Sequence, residues 1–300
     1  MSGVHMGAQS LRRPGRPFPF RFLRRRVLSQ VTVHLALSAM AVLMIFPLLW
    51  LVSTSLKHPG KQYLWPPQII PNPVYVRNYV DLFALAPMGV YLVNSFKIAI
   101  LAVIGTSLSS SLAAFAFARM RFWGKGPLFA ALLATMMLPG AVTIIPTFVI
   151  MRWLGWIDTH SPLIVPAYFG SAWNVFLLRQ AYMGIPQDLV DAAQIDGAGF
   201  FRIYWQIFIP LGMPILATVA LLAFLGSWND LFGPLIYLSN QYKMTVALGL
   251  TYLRGRAGTG TGRYGIIMAG SLLGVAPTLL LYTVGQKYFV EGLARTGLKG

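Results

Sequence analysis

Six long stretches of this chain carry no formal charge, and they constrain its fold more than any other feature. Each is close to or longer than the roughly 18–20 apolar residues that an α-helix needs to cross a bilayer. Only 10% of all residues are charged, against about 25% in a typical soluble domain. The pattern predicts an all-α integral membrane protein with six transmembrane helices, over residues Val27–Leu56, Ile98–Ala118, Pro127–Met151, Ser161–Leu178, Ile203–Asn229 and Tyr264–Gln286.

Two shorter apolar segments are predicted not to span. Leu231–Tyr242 is interrupted by Gly233 and Pro234, so we expect either an extension of the fifth helix or a buried re-entrant piece. Leu82–Phe96 contains Pro87 and is expected to form an interfacial helix on the outer side.

The connecting segments differ in composition. Lys57–Arg77 holds five prolines and is expected to be an extended, turn-rich outer segment. Asn240–Arg263 ends in a glycine-rich run and is expected to be a mobile outer loop. On the inner side, Met120–Gly126 reads as a tight basic turn. Gly184–Arg202 is the one inner loop expected to hold its own secondary structure.

The basic residues predict which side of the membrane each end occupies. With the N-terminus inside, the cytoplasmic segments collect fifteen of the 24 Lys and Arg residues. This bias predicts both termini in the cytoplasm, with a basic cytoplasmic tail over residues 1–26 and a six-helix transmembrane domain over 27–300. The same bias explains the net charge of +17 by the membrane topology. We therefore expect the chain to contact a lipid bilayer and not to bind nucleic acid. The fifteen are Arg12, Arg13, Arg16, Arg21, Arg24, Arg25, Arg26, Arg119, Arg121, Lys125, Arg179, Arg202, Lys287, Arg295 and Lys299.

The inner loop is acidic although its surroundings are basic. Asp188, Asp191 and Asp196 are three of the seven acidic residues in the whole chain. A helix is expected to begin near Pro186, with Asp188 in its first turn, where a negative charge complements the helix dipole. Gly197 is expected to end it in a left-handed conformation, and Asp196 to cap the segment that follows.

Two side-chain stripes are expected in and after this helix. Leu189, Ala192, Ala193 and Ile195 give a short apolar stripe at helical spacing. An aromatic stripe follows, which we expect to lie at the membrane surface, formed by Phe200, Tyr204 and Phe208 with Phe201 and Trp205 beside them. From the residues alone, the loop is either an ordinary solvated helix or a docking site for a soluble partner.

Few other residues suggest chemistry. Asn229 and Asp230, at the outer end of the fifth span, either line a path or are solvated at the interface, since an acid within a membrane is by default a functional hypothesis. Asn94 either lines the path or holds helices together. The four histidines show no metal-ligand spacing, there is no cysteine, and no phosphate-binding loop Gly-x-x-x-x-Gly-Lys-Ser/Thr occurs. We therefore expect no catalytic residue and no metal site.

Several motifs resemble the permease subunits of ATP-binding-cassette (ABC) importers for carbohydrates, specifically the shorter, maltose-type second permease. The inner loop is similar to the cytoplasmic loop of that family, which usually begins Glu-Ala-Ala where this chain has Asp191. The resemblance extends over nearly the whole chain, in order and spacing. It is carried by Asp191-Ala-Ala-x-x-Asp-Gly-Ala198, Asn94-Ser95, Ala113–Arg119, Met136–Pro139, Phe176–Arg179, Gly226–Asp230 and Phe289–Leu293.

The resemblance implies the type I importer fold in a bacterial or archaeal cytoplasmic membrane, with a cytoplasmic coupling loop over residues 184–214. It implies as partners a second homologous permease, two ATPase subunits that use ATP and Mg²⁺, and an extracytoplasmic solute-binding protein. No cofactor is expected on this chain itself. The coupling helix is implied to comprise Asp191, Ala192, Ala193, Asp196 and Gly197, with Ala198 packed behind it.

The solute is expected to be a sugar or a sugar-like molecule, with glycerol-3-phosphate as an alternative. Two other classes compete with the permease. A membrane-embedded enzyme needs clustered intramembrane His, Asp or Glu residues, whereas the expected spans hold at most Asp230. An autonomous secondary carrier or channel usually shows inverted halves or buried ion-coupling acids, and the sequence has neither pattern.

Overall fold

The computed structural model describes residues 20–257 and 263–297, with side chains over 30–255 and 263–286. Within those residues the chain is helical and contains no strand. Its α-helices are α1 Phe20–Ser55, α2 Arg77–Leu85, α3 Met88–Arg119, α4 Lys125–Thr135, α5 Gly140–Trp153, α6 Ser161–Ile164, α7 Ala172–Met183, α8 Gln187–Ile195, α9 Phe200–Ile203, α10 Ile209–Leu211, α11 Met213–Trp228, α12 Phe232–Tyr237, α13 Val246–Ala257 and α14 Tyr264–Gly297.

Four helical segments are long and apolar enough to cross a membrane, namely Gln30–Ser55, Met88–Arg119, Ser161–Met183 and Tyr264–Gln286. Two further pairs meet the same test only when taken together. The pair α4 and α5 is bent by 100°, and the segment Phe200–Leu211 meets α11 at 79°. The six apolar stretches thus correspond to four spans, or to six if each bent pair crosses as one.

Proline accounts for the position of the sharper bend. Pro139 precedes α5 in an extended conformation, with φ −60° and ψ 133°, and its ring cannot continue helix α4. Helices α4 and α5 are thus fully separated at this point. Pro146 and Pro277 lie inside α5 and α14, which remain continuous helices.

The chain divides into two units, residues 1–50 and 51–300. In the first, the described side chains from Gln30 to Trp50 are mostly exposed, as expected of an apolar helix that faces lipid. The second is organised around α3, which packs against α7, α11 and the turn Val165–Phe169. Helix α14 packs against α11, α2 and α13.

Two buried apolar clusters lie at opposite ends of α3. At one end, Met88 and Tyr91 of α3 are fully buried with residues of α2, α13 and α14. At the other end, Ala114 and Phe115 are buried with residues of α7, α8 and α11. One 32-residue helix, about 48 Å long at a rise of about 1.5 Å per residue, therefore joins both clusters.

The prediction of one interfacial helix over Leu82–Phe96 is wrong. Helix α2 ends at Leu85, and Ala86 is extended at φ −143° and ψ 144°, because a residue before proline avoids the helical region. The chain re-enters a helix at Met88 and continues without interruption to Arg119. The second span is therefore longer than its uncharged stretch.

Two predictions for the later outer segments are also wrong. For Leu231–Tyr242 only the first alternative is wrong: the segment does not extend the fifth helix, because α11 ends at Trp228 and α12 is a separate short helix. The second alternative, a re-entrant piece, stays a prediction. Asn240–Arg263 is not simply a loop, since α13 occupies Val246–Ala257 and buries Val246 and Leu253. Residues 258–262 of the glycine-rich run lie outside the described residues. The segment 57–76 does contain turns and a single 3-10 helix, as predicted for a proline-rich stretch.

Candidate coupling site on the inner loop

Helix α8 forms the predicted secondary structure within the inner loop. Pro186 precedes it at φ −56°, and Asp188 lies in its first turn, where the carboxylate complements the helix dipole. Gly197 adopts φ +79°, the left-handed conformation predicted for it. The local sequence thus accounts for both ends of α8.

The end of α8 is a Schellman motif. The Ala198 N–H donates to the Ala193 carbonyl at 2.9 Å, and the Gly197 N–H donates to the Gln194 carbonyl at 3.0 Å. Asp196 is the last residue before the left-handed glycine. The prediction that Asp196 caps the next segment is wrong, because Gly199 precedes α9 and no side chain caps it.

The two faces of α8 differ in burial, but the buried residues are not the ones that the predicted apolar stripe comprised. Val190 is 4% exposed and belongs to the buried cluster that contains Ala114 and Phe115. Ala193 and Ala198 pack against that cluster. Leu189 and Ile195, expected to share the apolar face, are 44% and 86% exposed. The helix therefore presents two bulky apolar side chains to its surroundings.

The acidic residues lie on the exposed side. Asp188, Asp191 and Asp196 are all exposed, as is Ala192. The Asp191 Oδ1 accepts a hydrogen bond from the Gln187 Nε2 at 2.9 Å. Among the described residues, no ion pair engages the Asp188 or Asp196 carboxylate. The exposed face of α8 is thus acidic, with bulky apolar side chains at Leu189 and Ile195 and only a small side chain at Ala192.

A junction of three hydroxyl groups holds the base of the loop. The Ser111 Oγ on α3 lies 2.7 Å from the Tyr182 hydroxyl, and the Tyr204 hydroxyl donates to the same Oγ at 2.9 Å. Tyr182 lies just before the loop helix and Tyr204 follows it, so both ends of the segment meet at one residue of α3. All three side chains are buried.

This junction corrects the expected aromatic stripe. Tyr204 and Phe208 are 1% and 0% exposed and contact Phe115, so they belong to the core and not to the membrane surface. A π-helical turn over Tyr204–Phe208 shifts the helical phase, which separates them from Phe200 and Phe201. Phe200, Phe201 and Trp205 do remain exposed.

Arg119, at the inner end of α3, binds the segment that leads into α8. Its Nη2 donates to the Tyr182 carbonyl at 2.9 Å and to the Ile185 carbonyl. Its Nη1 donates to the Gln187 Oε1 at 2.6 Å. From the sequence, Arg119 was predicted as a cytoplasmic charge and as the end of the Ala113–Arg119 motif, but not as a contact of the inner loop. The sequence held one signal for this contact. Arg119 is the basic residue at the end of a span, close to a loop that follows the end of another helix.

The candidate path residues lie apart from this site. The Asn94 Nδ2 donates to the Tyr242 and Met244 carbonyls at 2.9 and 3.0 Å, which favours the helix-holding alternative. The exposed Asn229 donates to the Leu225 carbonyl at 2.9 Å. The Asp230 Oδ1 accepts from the Gly233 N–H at 3.1 Å, in the first turn of α12.

Comparison with known proteins identifies the family. Residues 105–295 match the family described as binding-protein-dependent transport system inner membrane component. This range includes α8 and the part of α3 from Gly105 to Arg119, and it covers more than half of the chain.

Curated relatives match over nearly their full length. The galactooligosaccharides transport system permease protein GanQ of Bacillus subtilis is 34% identical over 92% of this chain and 98% of its own. The arabinooligosaccharides transport system permease protein AraQ of Halalkalibacterium halodurans is 33% identical over 87% and 93%. The sn-glycerol-3-phosphate transport system permease protein UgpE of Yersinia pestis is 30% identical over 87% and 94%.

A solved structure shares the fold. A chain in the crystal structure of a bacterial ABC transporter involved in the import of the acidic polysaccharide alginate superposes with a TM-score of 0.78. The two are 23% identical, and the match covers 91% of this chain and 100% of the other. The chain belongs to the family of binding-protein-dependent transport system inner membrane components and is a permease subunit of an ABC importer.

Proposed function

We propose that this permease forms half of the translocation path for a sugar or sugar-like solute, the other half coming from a second homologous permease. An extracytoplasmic solute-binding protein delivers the solute. Relatives named for galactooligosaccharide and arabinooligosaccharide transport support this solute class. The relative named for sn-glycerol-3-phosphate transport makes that solute the second candidate.

We infer that α8 docks into a cleft on a separate ATPase subunit. The observation that carries this inference is the exposed face of α8, where Ile195 is 86% exposed beside the Asp196 carboxylate, while Val190 anchors the opposite face. Apolar side chains exposed next to one another with polar residues around them, as Leu189 and Ile195 are among the aspartates, are typical of a surface that another protein covers. The complementary cleft is apolar at its base and basic at its rim. The coupling residues are Asp191, Ala192, Ala193, Asp196 and Gly197, with Ala198 behind them.

In this arrangement the chain is a non-catalytic transport subunit. It binds no cofactor, and the partner ATPases bind ATP and Mg²⁺. Each of the two bent helix pairs crosses the bilayer as one unit, which gives six spans and places both termini in the cytoplasm. That orientation puts α8 on the same side as the fifteen inner basic residues, as the positive-inside rule favours.

The coupling role is tested by reversing one charge on α8 in the reconstituted transporter. Asp196→Lys places a cation at the exposed end of the helix, where no described contact is lost, so membrane abundance and Tm stay unchanged while ATP-driven uptake falls at least about tenfold. Asp196→Glu keeps the charge and retains most of the uptake. Full uptake in the Asp196→Lys transporter contradicts the docking role.

The solute class requires a different measurement, on the binding protein that works with this permease. Thermal-shift titration with oligosaccharides, disaccharides, sugar alcohols and glycerol-3-phosphate identifies its ligand. Stabilisation by an oligosaccharide or disaccharide is expected. Stabilisation by glycerol-3-phosphate alone replaces the sugar proposal with the second candidate.

A further inference from the structure

Arg119 is placed where three segments of the chain meet. It is the last residue of α3 and is half-buried. Its guanidinium lies 5.4 Å from the centroid of the Phe208 ring, which is buried and belongs to the π-helical turn of the coupling loop. The same guanidinium donates to the segment before α8, at Tyr182 and Ile185, and to Gln187 at the start of α8.

These acceptors explain why an arginine is needed. Tyr182 lies in the final turn of α7, where a carbonyl lacks the usual N–H partner of a continuing helix. Its carbonyl accepts from the Ile185 N–H at 3.3 Å as well as from Arg119. A guanidinium is a rigid planar fork with five donors, so it can bind two carbonyls and a side-chain amide in one plane. The ammonium group of a lysine cannot span acceptors that lie in different directions at fixed spacing.

Gln187 extends the contact along α8. Its Oε1 accepts from Arg119 and its Nε2 donates to the Asp191 Oδ1, four residues further along the helix. This chain of hydrogen bonds orients the Asp191 carboxylate, the residue that stands where the family usually has Glu. The exposed Gln187–Asp191 bond is the weaker part, since such pairs contribute about 0.2–0.5 kcal/mol.

We propose that Arg119 is a positioning residue that makes α8 and α3 move as one unit, through the bonds Arg119–Gln187–Asp191 and Arg119 to the Tyr182 and Ile185 carbonyls. The proposal rests on the docking of α8 to an ATPase. It adds that displacement of α8 reaches the membrane domain through α3. The Ser111 junction holds the base of the same loop independently, so loss of Arg119 loosens α8 without detaching the loop.

The experiment measures the distance between α8 and α3 in the assembled transporter. Because the chain has no cysteine, spin labels are introduced at the exposed positions Ile195 and Leu108 as the only two thiols of this chain. Pulsed electron resonance is recorded in proteoliposomes, without nucleotide and with ATP plus vanadate. In the otherwise unchanged permease, a narrow distance distribution is expected that stays the same in both states.

Arg119→Met is expected to widen that distribution at least about twofold and to make it depend on nucleotide, while Arg121→Met leaves it unchanged. Gln187→Met, on the exposed surface, is expected to widen it by less, in line with the small energy of the bond it removes. Gln187→Met also keeps the test valid if Arg119→Met fails to fold. A role limited to capping α7 predicts a lower Tm with an unchanged distribution in both variants, and that result overturns the proposal.

The same labels separate this proposal from the docking role. Addition of the ATPase subunits is expected to reduce the mobility of the label at Ile195. Unchanged mobility counts against docking itself. Reduced mobility together with an unaltered Ile195–Leu108 distribution in Arg119→Met counts against the positioning role alone.

Discussion

At the scale of single residues, Gly197 shows how a local conformation fixes the shape of the coupling surface. Its φ of +79° allows the Schellman bonds that end α8 beside the exposed Ile195. No atom lies within 4 Å of the position that a Cβ would take there. The requirement for glycine is therefore one of backbone conformation and not of space.

Gly197→Ala is predicted to destabilise the end of α8 by about 1–2 kcal/mol, the cost of a left-handed non-glycine residue. Hydrogen exchange of the α8 amides measures the effect, and faster exchange with reduced uptake is expected. Gly197→Asn is expected to lose less, since asparagine tolerates this region better.

Gly199→Ala is the matched control for Gly197→Ala. Gly199 has φ −74° and also has open space around its Cβ position, so little change is expected. Equal exchange rates in the two alanine variants contradict the conformational explanation.

The features of α8 that could be predicted at this scale depend on residues that are close together in the sequence. The start of α8, its left-handed stop and its acidic exposed side follow from Pro186, Gly197 and the aspartates. The bond from Arg119 to Gln187 joins residues 68 positions apart, so it depends on packing that no local pattern encodes. The burial of Tyr204 was missed because the π-helical turn changes the helical phase.

At the scale of elements, α3 connects the inner loop to the outer segments. Its inner end carries Ser111 and Arg119. Its outer end carries Asn94, which binds the Tyr242 and Met244 carbonyls, and Ser95, whose Oγ accepts from the Val246 N–H at 2.8 Å. The apolar stretch predicted this helix, whereas its outer contacts join residues about 150 positions apart and could not be predicted.

Helix α13 packs closely on the outer end of α3, and Gly249 makes that approach possible. A Cβ at Gly249 would lie 2.3 Å from two ring atoms of Tyr91, which is fully buried. Gly249→Ala is therefore predicted to lower the free energy of unfolding by about 1–3 kcal/mol through overpacking, read as a lower Tm.

Gly255→Ala, in the same helix, is the control, because nothing lies within 4 Å of its Cβ position. Both substitutions share the gain in helix propensity of up to about 1 kcal/mol. The Tm is expected to rise or stay level in Gly255→Ala. A similar change in both variants would mean that α13 does not pack on Tyr91.

Asp158 joins two outer segments, the α5–α6 connection and the chain after α12. Its Oδ2 lies 2.8 Å from the Lys243 Nζ, and its Oδ1 accepts from the N–H groups of Ser239 and Asn240. The Lys243 hydrogen bond, followed by the two backbone donors, lowers the pKa of Asp158 to about 2. A depressed pKa in the folded state means that the stabilisation is complete above the ordinary aspartate pKa and is lost as the pH falls towards 2.

The Tm difference between the unsubstituted protein and Asp158→Asn is therefore predicted to be largest near pH 7 and to shrink below about pH 4. Thermal unfolding of both proteins in nanodiscs, near pH 7 and below about pH 4, measures this Tm difference. Asp81→Asn, which removes the more exposed Arg77–Asp81 pair at 3.6 Å, is expected to change the Tm little at either pH. A Tm difference for Asp158→Asn that is independent of pH contradicts the assignment.

At the scale of the whole molecule, charge and hydropathy divide the sequence into long uncharged stretches and charged connecting segments. The uncharged stretches predicted the helical membrane class. The bends of 100° and 79° could not be predicted, because the same composition suits a straight and a broken helix. Helix α8 has an acidic and apolar exposed face in a chain of net charge +17, and this contrast supports the proposed docking to an ATPase subunit.

The most direct test of this account is site-specific photo-crosslinking in the assembled transporter. A benzoylphenylalanine replaces Ile195 at the tip of α8 in one sample and Trp153, which is 82% exposed at the end of α5, in the other. The account predicts an adduct between position 195 and the ATPase subunit, with a yield that changes with ATP, and no ATPase adduct from position 153. Absence of an ATPase adduct from position 195, or an equal yield from position 153, would contradict it.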